Sequence, residues 1–143
     1  MTTGFTDVPP RILLIEDNPA DVYLIRESFK ENGLHCAIEN INDGEDALAY
    51  VRRVPFSPLP DLIILDLNLP KAEGGDILEA IRASGSFSAV PVVIFTSSDS
   101  PQDKLHAARF GARKYIRKPS SLDAFLQIGG EIKDLLASRD EVV

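Results

Sequence analysis

Glu16, Asp17, Asp66, Thr96 and Lys118 are the residues of this chain whose types and placing could do chemistry together. Each directly follows a short strand-like run: RILLI before Glu16 and Asp17, DLIIL before Asp66, VVIF before Thr96 and KYIR before Lys118. If those runs are neighbouring strands of one open α/β sheet, the five side chains meet at its carboxyl edge, where such sheets bind ligands. Three carboxylates gathered in one place repel one another unless a cation neutralises them, and hard oxygen donors suit Mg²⁺ or Mn²⁺. Mg²⁺ usually takes only one or two carboxylates and completes its shell with phosphate and water, which leaves one acid free to react. Asp66 is that acid: from the tip of a buried strand its carboxylate can attack phosphorus in line while the metal and Lys118 neutralise the transferred oxygens. Taken singly, each position has an ordinary explanation, because Asp and Asn cap helices and Thr and Lys are common surface residues. Helix capping does not call for a Lys-Pro after the last strand, so it is the set of five that carries the reading.

The elements that must position these residues are legible as short apolar runs alternating with longer amphipathic ones about five times, the pattern of βα units around a mostly parallel sheet. Arg11–Ile15 reads as a buried strand, and Asp17-Asn18-Pro19 then opens a helix to about Asn32, with Val22, Ile25 and Phe29 at helical spacing. A second strand is expected near His35–Ile41, then a helix capped by Asp43 and running to about Val54. Pro55, Pro58 and Pro60 make a stiff approach to the most apolar strand, Asp61–Leu65, which should be central. A loop with Pro70 and Gly74-Gly75 leads to a helix near Asp76–Ala83 and a strand Val92–Phe95. A short helix Asp103–Phe110, a strand Lys114–Arg117 and one last helix, capped by Ser121 and running through about Ala137, complete the chain. Gly129-Gly130 inside that helix is expected to weaken it by about 1 kcal/mol per glycine. One domain over residues 11–137, with tails at 1–10 and 138–143, is the implied organisation.

Composition narrows the function classes. A length of 143 residues suits one domain, and 44% hydrophobic with 26% charged residues is the balance of an ordinary globular protein. The net charge of −7, without a dense basic run, disfavours direct nucleic-acid binding. Cys36 is the single cysteine, so a disulfide within the chain and a multi-cysteine zinc site are both excluded, and the reading is a small buried hydrophobe in a reducing cytoplasm. No signal-peptide pattern and no run of ~20 apolar residues is present, so no membrane span is expected. His35 and His106 are too isolated to serve as metal ligands or phosphodonors.

Ile15-Glu16-Asp17-Asn18, Leu65-Asp66-Leu67-Asn68-Leu69-Pro70, Phe95-Thr96-Ser97 and Lys118-Pro119 resemble response-regulator receiver domains over about residues 11–137. The resemblance implies a flavodoxin-like, doubly wound (βα)5 three-layer sandwich with a five-stranded parallel sheet in the order 2-1-3-4-5. It implies that Asp66 is the phosphoacceptor, forming a 4-aspartylphosphate, and that Glu16 and Asp17 are the acidic pair. Asp66 and the backbone carbonyl of Asn68 would complete the protein ligands to Mg²⁺. Thr96 would be the switch hydroxyl, Lys118 the bridge to the phosphoryl group through a cis Lys118-Pro119 bond, and Tyr115 the aromatic partner of Thr96. Within the family, LDLNLPKAEG and the Pro-rich approach to the third strand resemble bacterial single-domain regulators that partner phytochrome-type sensor histidine kinases. Glu73 and Gly75 depart from relatives that carry Asp and a bulkier residue there, which implies a more mobile loop after Asp66.

Phosphorylation adds about −1.5 to −2 charges, which Lys118 and the Thr96 hydroxyl can meet by moving inward, opening a space for Tyr115. Such a chain catalyses only its own phosphorylation and dephosphorylation and is not an enzyme acting on a metabolite. Relatives often dimerise through the face of the fourth helix, fifth strand and fifth helix, and the same is expected here. A haloacid-dehalogenase-type phosphatase would need a second Asp where Asn68 stands. A flavin carrier would meet the acidic Glu16-Asp17 turn. A receiver-fold interaction module working without phosphorylation is the remaining alternative.

Overall fold

Parity along the strands explains why the sheet is covered on both faces. In this computed structural model, which describes residues 8–53 and 58–141, the strands are β1 (Arg11–Ile15), β2 (Ala37–Ile41), β3 (Leu62–Leu65), β4 (Val92–Thr96) and β5 (Lys114–Arg117). Ile12, Leu14, Leu62, Ile64, Val93 and Phe95 pack into one core cluster, and Leu13, Ile15, Ile63, Leu65, Val92 and Ile94 into the other. Successive strand residues point to opposite faces, so an uninterrupted apolar run demands helices on both sides. The first cluster is closed by α1 (Pro19–Glu31), α5 (Leu122–Phe125) and α6 (Ile128–Glu141). The second is closed by α2 (Gly44–Arg52), α3 (Gly74–Ala83) and α4 (Pro101–Arg109). All pairings are parallel in the order β2-β1-β3-β4-β5, with β3 central as expected. The chain steps one way from β1 to β2 and the other way from β3 onward, so the topological switch point lies between β1 and β3.

Several boundaries differ from the sequence expectation for identifiable reasons. Strand β2 starts at Ala37 rather than His35 because the end of α1 consumes the intervening residues: Gly33 sits at φ +67° and the Leu34 N–H returns to the Phe29 carbonyl. Helix α4 starts at Pro101, two residues early, because Ser100 caps it by accepting from the Asp103 N–H, and Pro101 suits a first helical turn. The expected end of α2 at Val54 and the following Pro55 lie outside the described residues; the described helix ends at Arg52.

The single last helix is in fact two. The Leu126 carbonyl, which a continuous helix would pair with the Gly130 N–H, instead accepts from Ser28 Oγ at 3.1 Å and Asn32 Nδ2 at 2.8 Å, both on α1. The Gly129 N–H in turn donates to Ser28 Oγ, and the Gly130 N–H turns to the Gln127 carbonyl. The break is therefore where α1 and the last helix share hydrogen bonds, and α6 then continues past Ala137 to Glu141. On the opposite face, Arg82 joins three segments. Its guanidinium donates to the carbonyls of Phe110 (2.7 Å), Gly111 (3.0 Å), Val90 (3.0 Å) and Ser88 (3.1 Å), tying the end of α4 to the approach to β4.

Candidate functional site

The register of the sheet delivers the acidic residues to one edge. Ile15 pairs with Leu65 and Leu65 with Ile94. Beyond these pairs the ladder continues through Asp66 N–H to the Ile15 carbonyl and Lys118 N–H to the Thr96 carbonyl. Glu16, Asp17 and Asp66 consequently each place a carboxylate oxygen within 4.8 Å of the others. Glu16 and Asp66 are buried and Asp17 is exposed. Thr96 is fully buried, and its hydroxyl accepts from Asn68 Nδ2 and from the Ser98 N–H, both at 3.3 Å. Asp66 Oδ1 accepts from the Asn68 N–H at 3.0 Å, so the residue two beyond the acid fixes both the acid and the hydroxyl.

Lys118 lies at the centre of this cluster. Its ammonium is 2.8 Å from Asp66 Oδ2, 2.8 Å from Asp21 Oδ2 and 2.9 Å from Glu16 Oε1. Burial alone would lower its pKa, but the hydrogen bonds to Asp21 and Asp66 and the nearby Glu16 charge outweigh burial and hold it above the ordinary lysine value. Glu16 is pushed up to about 7, first by burial and further by the Asp66 charge, with the Lys118 ammonium opposing both. Glu16 Oε2 accepts from the Asn18 N–H at 3.1 Å, whereas Oε1 is buried and lacks a properly directed hydrogen bond even beside Lys118. An underbonded buried carboxylate oxygen beside two further carboxylates is a donor set that fits a hard divalent cation.

Tyr115, on β5, donates from its hydroxyl to the Ser98 carbonyl at 2.9 Å, two residues beyond Thr96. The hydroxyl and the aromatic ring named from sequence are thus attached to the same β4–α4 loop. The loop after Asp66 is held at both ends. Pro70 accepts from the N–H of Gly44 at the start of α2, and the Gly74 N–H donates to the Leu67 carbonyl. A Cβ at Gly74 would lie 2.4 Å from Leu67 Cα and 2.5 Å from the Asp66 carbonyl, so only glycine lets α3 start this close to the acid. At Gly75 the place of a larger side chain is taken by His106, whose ring would lie 3.3 Å from an added Cβ and whose Nε2 is 3.2 Å from Glu79.

Two sequence expectations change. The Lys118–Pro119 bond is trans, since no cis peptide occurs among the described residues. Trans is favoured for X–Pro bonds by about 0.5–1 kcal/mol, and the trans chain already brings Lys118 to Asp66. Asp21 was not singled out, although it ion-pairs with Lys118 as closely as Asp66 does. Its one sequence signal is an acid three residues after the capping Asn18, which ordinarily reads as a helix-terminus charge.

The family model described as "Response regulator receiver domain" matches residues 12–128. The chain belongs to this family. Among its relatives, Response regulator Rcp1 of Synechocystis is 34% identical over 85% of this chain and 86% of its own length. A probable methanogenesis regulatory protein, FilR2 of Methanothrix harundinacea, is 38% identical over 86% of this chain and 81% of its own. Of solved structures, the phosphorylated cyanobacterial phytochrome response regulator RcpA superposes with a TM-score of 0.83 at 32% identity, covering 92% of this chain and 96% of RcpA. The Mn²⁺-bound form of Rcp1 gives 0.81 at 31% identity, over 94% of this chain and 97% of that one. The bacteriophytochrome response regulator RtBRR is a further structural neighbour, with a TM-score of 0.73 at 32% identity, over 90% of this chain and 78% of that one. No helix among the described residues is long and apolar enough to cross a membrane.

Proposed function

We propose that this chain is a single-domain response regulator of a two-component phosphorelay, taking a phosphoryl group from the phosphohistidine of a sensor histidine kinase onto Asp66. The observation that carries the reading is the position of Asp66: buried at the tip of the central strand, one oxygen 2.8 Å from the Lys118 ammonium and the other held by the Asn68 N–H. A carboxylate so fixed is oriented for in-line attack. Its oxygen forms the new P–O bond as the donor N–P bond breaks, and the imidazole keeps the bonding pair and takes a proton. Lys118 balances the charge that accumulates on the phosphoryl oxygens. Glu16, Asp17 and Asp66, with the Asn68 backbone carbonyl, would hold Mg²⁺, which when bound shares that neutralisation. Hydrolysis reverses the state when water attacks phosphorus and the Asp66 oxygen leaves as carboxylate. Apart from this self-phosphorylation and self-dephosphorylation the chain turns over no substrate.

The domain is read as residues 11–137, acting in the bacterial cytoplasm. RcpA is described as a phytochrome response regulator, and its likeness to this chain supports a phytochrome-type kinase as the donor. In the switch, Thr96 exchanges its bonds to Asn68 and Ser98 for the phosphoryl group, and Tyr115 follows through its bond to the Ser98 carbonyl. The changed face, formed by α4, β5 and the last helical stretch of α5 and α6, bears the exposed Leu105 and Leu122 and is the surface for a second copy of the chain. Sedimentation that shows only monomer at high concentration, with and without a phosphate analogue, rules that assembly out.

Intact-protein mass after incubation with acetyl phosphate and Mg²⁺ tests the acceptor. The wild type gains one phosphoryl group, and Asp66→Asn gains none. A folded wild type that gains nothing would make the chain a receiver-fold module working without phosphorylation.

A further inference from the structure

We propose that Asp21 is a positioning residue for the phosphoryl chemistry, holding the Lys118 ammonium across the acceptor carboxylate; the inference rests on Asp66 being the phosphoacceptor. Lys118 reaches the site on a flexible four-carbon stem whose rotamer freedom must be frozen for its charge to act at one place. Of the three carboxylates around the ammonium, Asp21 and Asp66 each accept a hydrogen bond at 2.8 Å. Glu16 contributes charge at 2.9 Å, but its Oε1 lacks hydrogen-bond geometry. The bond to Asp66 is the one that phosphorylation must rearrange. Asp21 is therefore the anchor that the reaction leaves in place.

Asp21 is built for that role. It sits in the first turn of α1, its N–H donates to the capping Asn18 side chain at 3.3 Å, and the helix is fixed to the sheet through the buried Ile25 and Phe29. It is not one of the carboxylates whose oxygens cluster within 4.8 Å, which are Glu16, Asp17 and Asp66, and its contact is with the lysine. The ordinary account, an acid favoured near a helix N-terminus, explains the residue type but not the 2.8 Å contact with a lysine 97 positions away.

The two accounts predict opposite changes in rate. Removing a bystander negative charge weakens repulsion of an anionic phosphodonor and speeds phosphorylation. Removing an anchor lets the ammonium wander and slows it. The test measures the initial rate of phosphoryl gain from acetyl phosphate at saturating Mg²⁺ by intact mass, for wild type, Asp21→Asn and Asp21→Glu. A second readout, taken without metal or phosphodonor, is the NMR signal of the Lys118 ammonium. Asp21→Asn is expected to be about ten-fold slower, and its ammonium signal broadens or exchanges away, while Asp21→Glu, which keeps an anion within reach, restores most of the rate. Thermal melts confirm that the variants are folded. An Asp21→Asn protein that reacts as fast as wild type or faster, or keeps a sharp ammonium signal, overturns the proposal, as does an Asp21→Glu protein no faster than Asp21→Asn. A wild type that gains no phosphoryl group would instead remove the acceptor reading itself, and the ammonium signal would still report whether Asp21 holds the lysine.

Discussion

Replacing Lys118 by methionine lowers the thermal unfolding midpoint of the metal-free protein by on the order of 10 °C at neutral pH. The side chain is 13% exposed and lies within 2.9 Å of oxygens from Glu16, Asp21 and Asp66. Methionine fills a similar volume, so the loss is electrostatic: carboxylates from β1, β3 and α1 are left facing one another with their cation gone. Removing one partner of a buried ion pair costs about 3–5 kcal/mol because the remaining charge is uncompensated. Lysine to arginine keeps the charge and loses less, though a planar fork replaces a point charge. Added Mg²⁺ narrows the gap between methionine variant and wild type, since a second cation can take over part of the neutralisation. The measurement is a melt followed by circular dichroism, with and without Mg²⁺. A methionine variant that melts alongside the wild type in the absence of metal would show that the three carboxylates do not depend on Lys118.

What the sequence made legible follows from how completely each feature is local. The strands were readable because RILLI, LIIL and VVIF are apolar on both faces, and such runs have few alternatives in a chain of this length. Asp66, Glu16, Asp17, Thr96 and Lys118 were readable because each ends a strand or follows one within two residues, and parallel strands bring their ends together whatever the intervening helices do. Asp21 was not readable as a site residue, because what marks it is the path of a lysine side chain arriving from β5. Arg82 gives no local sign either: it lies on the polar side of α3, and its four carbonyl partners belong to segments up to 29 residues away. The break in the last helix was hidden for a related reason. Ser28 and Asn32 stand on the face of α1 that carries Ile25 and Phe29, and a polar residue among apolar ones signals a partner without saying which.

That partner makes Gly129 a requirement where the sequence suggested a weakness. Gly129→Ala is expected to destabilise the protein by about 2 kcal/mol, an overpacking cost near 3 kcal/mol reduced by the roughly 1 kcal/mol that alanine gains over glycine in a helix. An added Cβ would lie 2.4 Å from the Ser28 carbonyl oxygen and 2.8 Å from its carbon, backbone atoms in the last turn of α1 that cannot rotate away. The neighbouring substitution supplies the contrast. At Gly130 the nearest atom is the Asn32 side-chain oxygen at 3.1 Å, a group that can shift by a few tenths of an ångström, so Gly130→Ala is expected to be close to neutral. At Gly85 nothing lies within 4 Å, and alanine there can only reduce the freedom of the unfolded chain. Urea unfolding of the three variants should therefore rank Gly129→Ala well below the other two, with Gly130→Ala and Gly85→Ala at or slightly above wild type. If Gly129→Ala and Gly130→Ala unfold together, the close approach of the last helix to α1 is not what breaks that helix at Leu126, and helix propensity alone governs both positions.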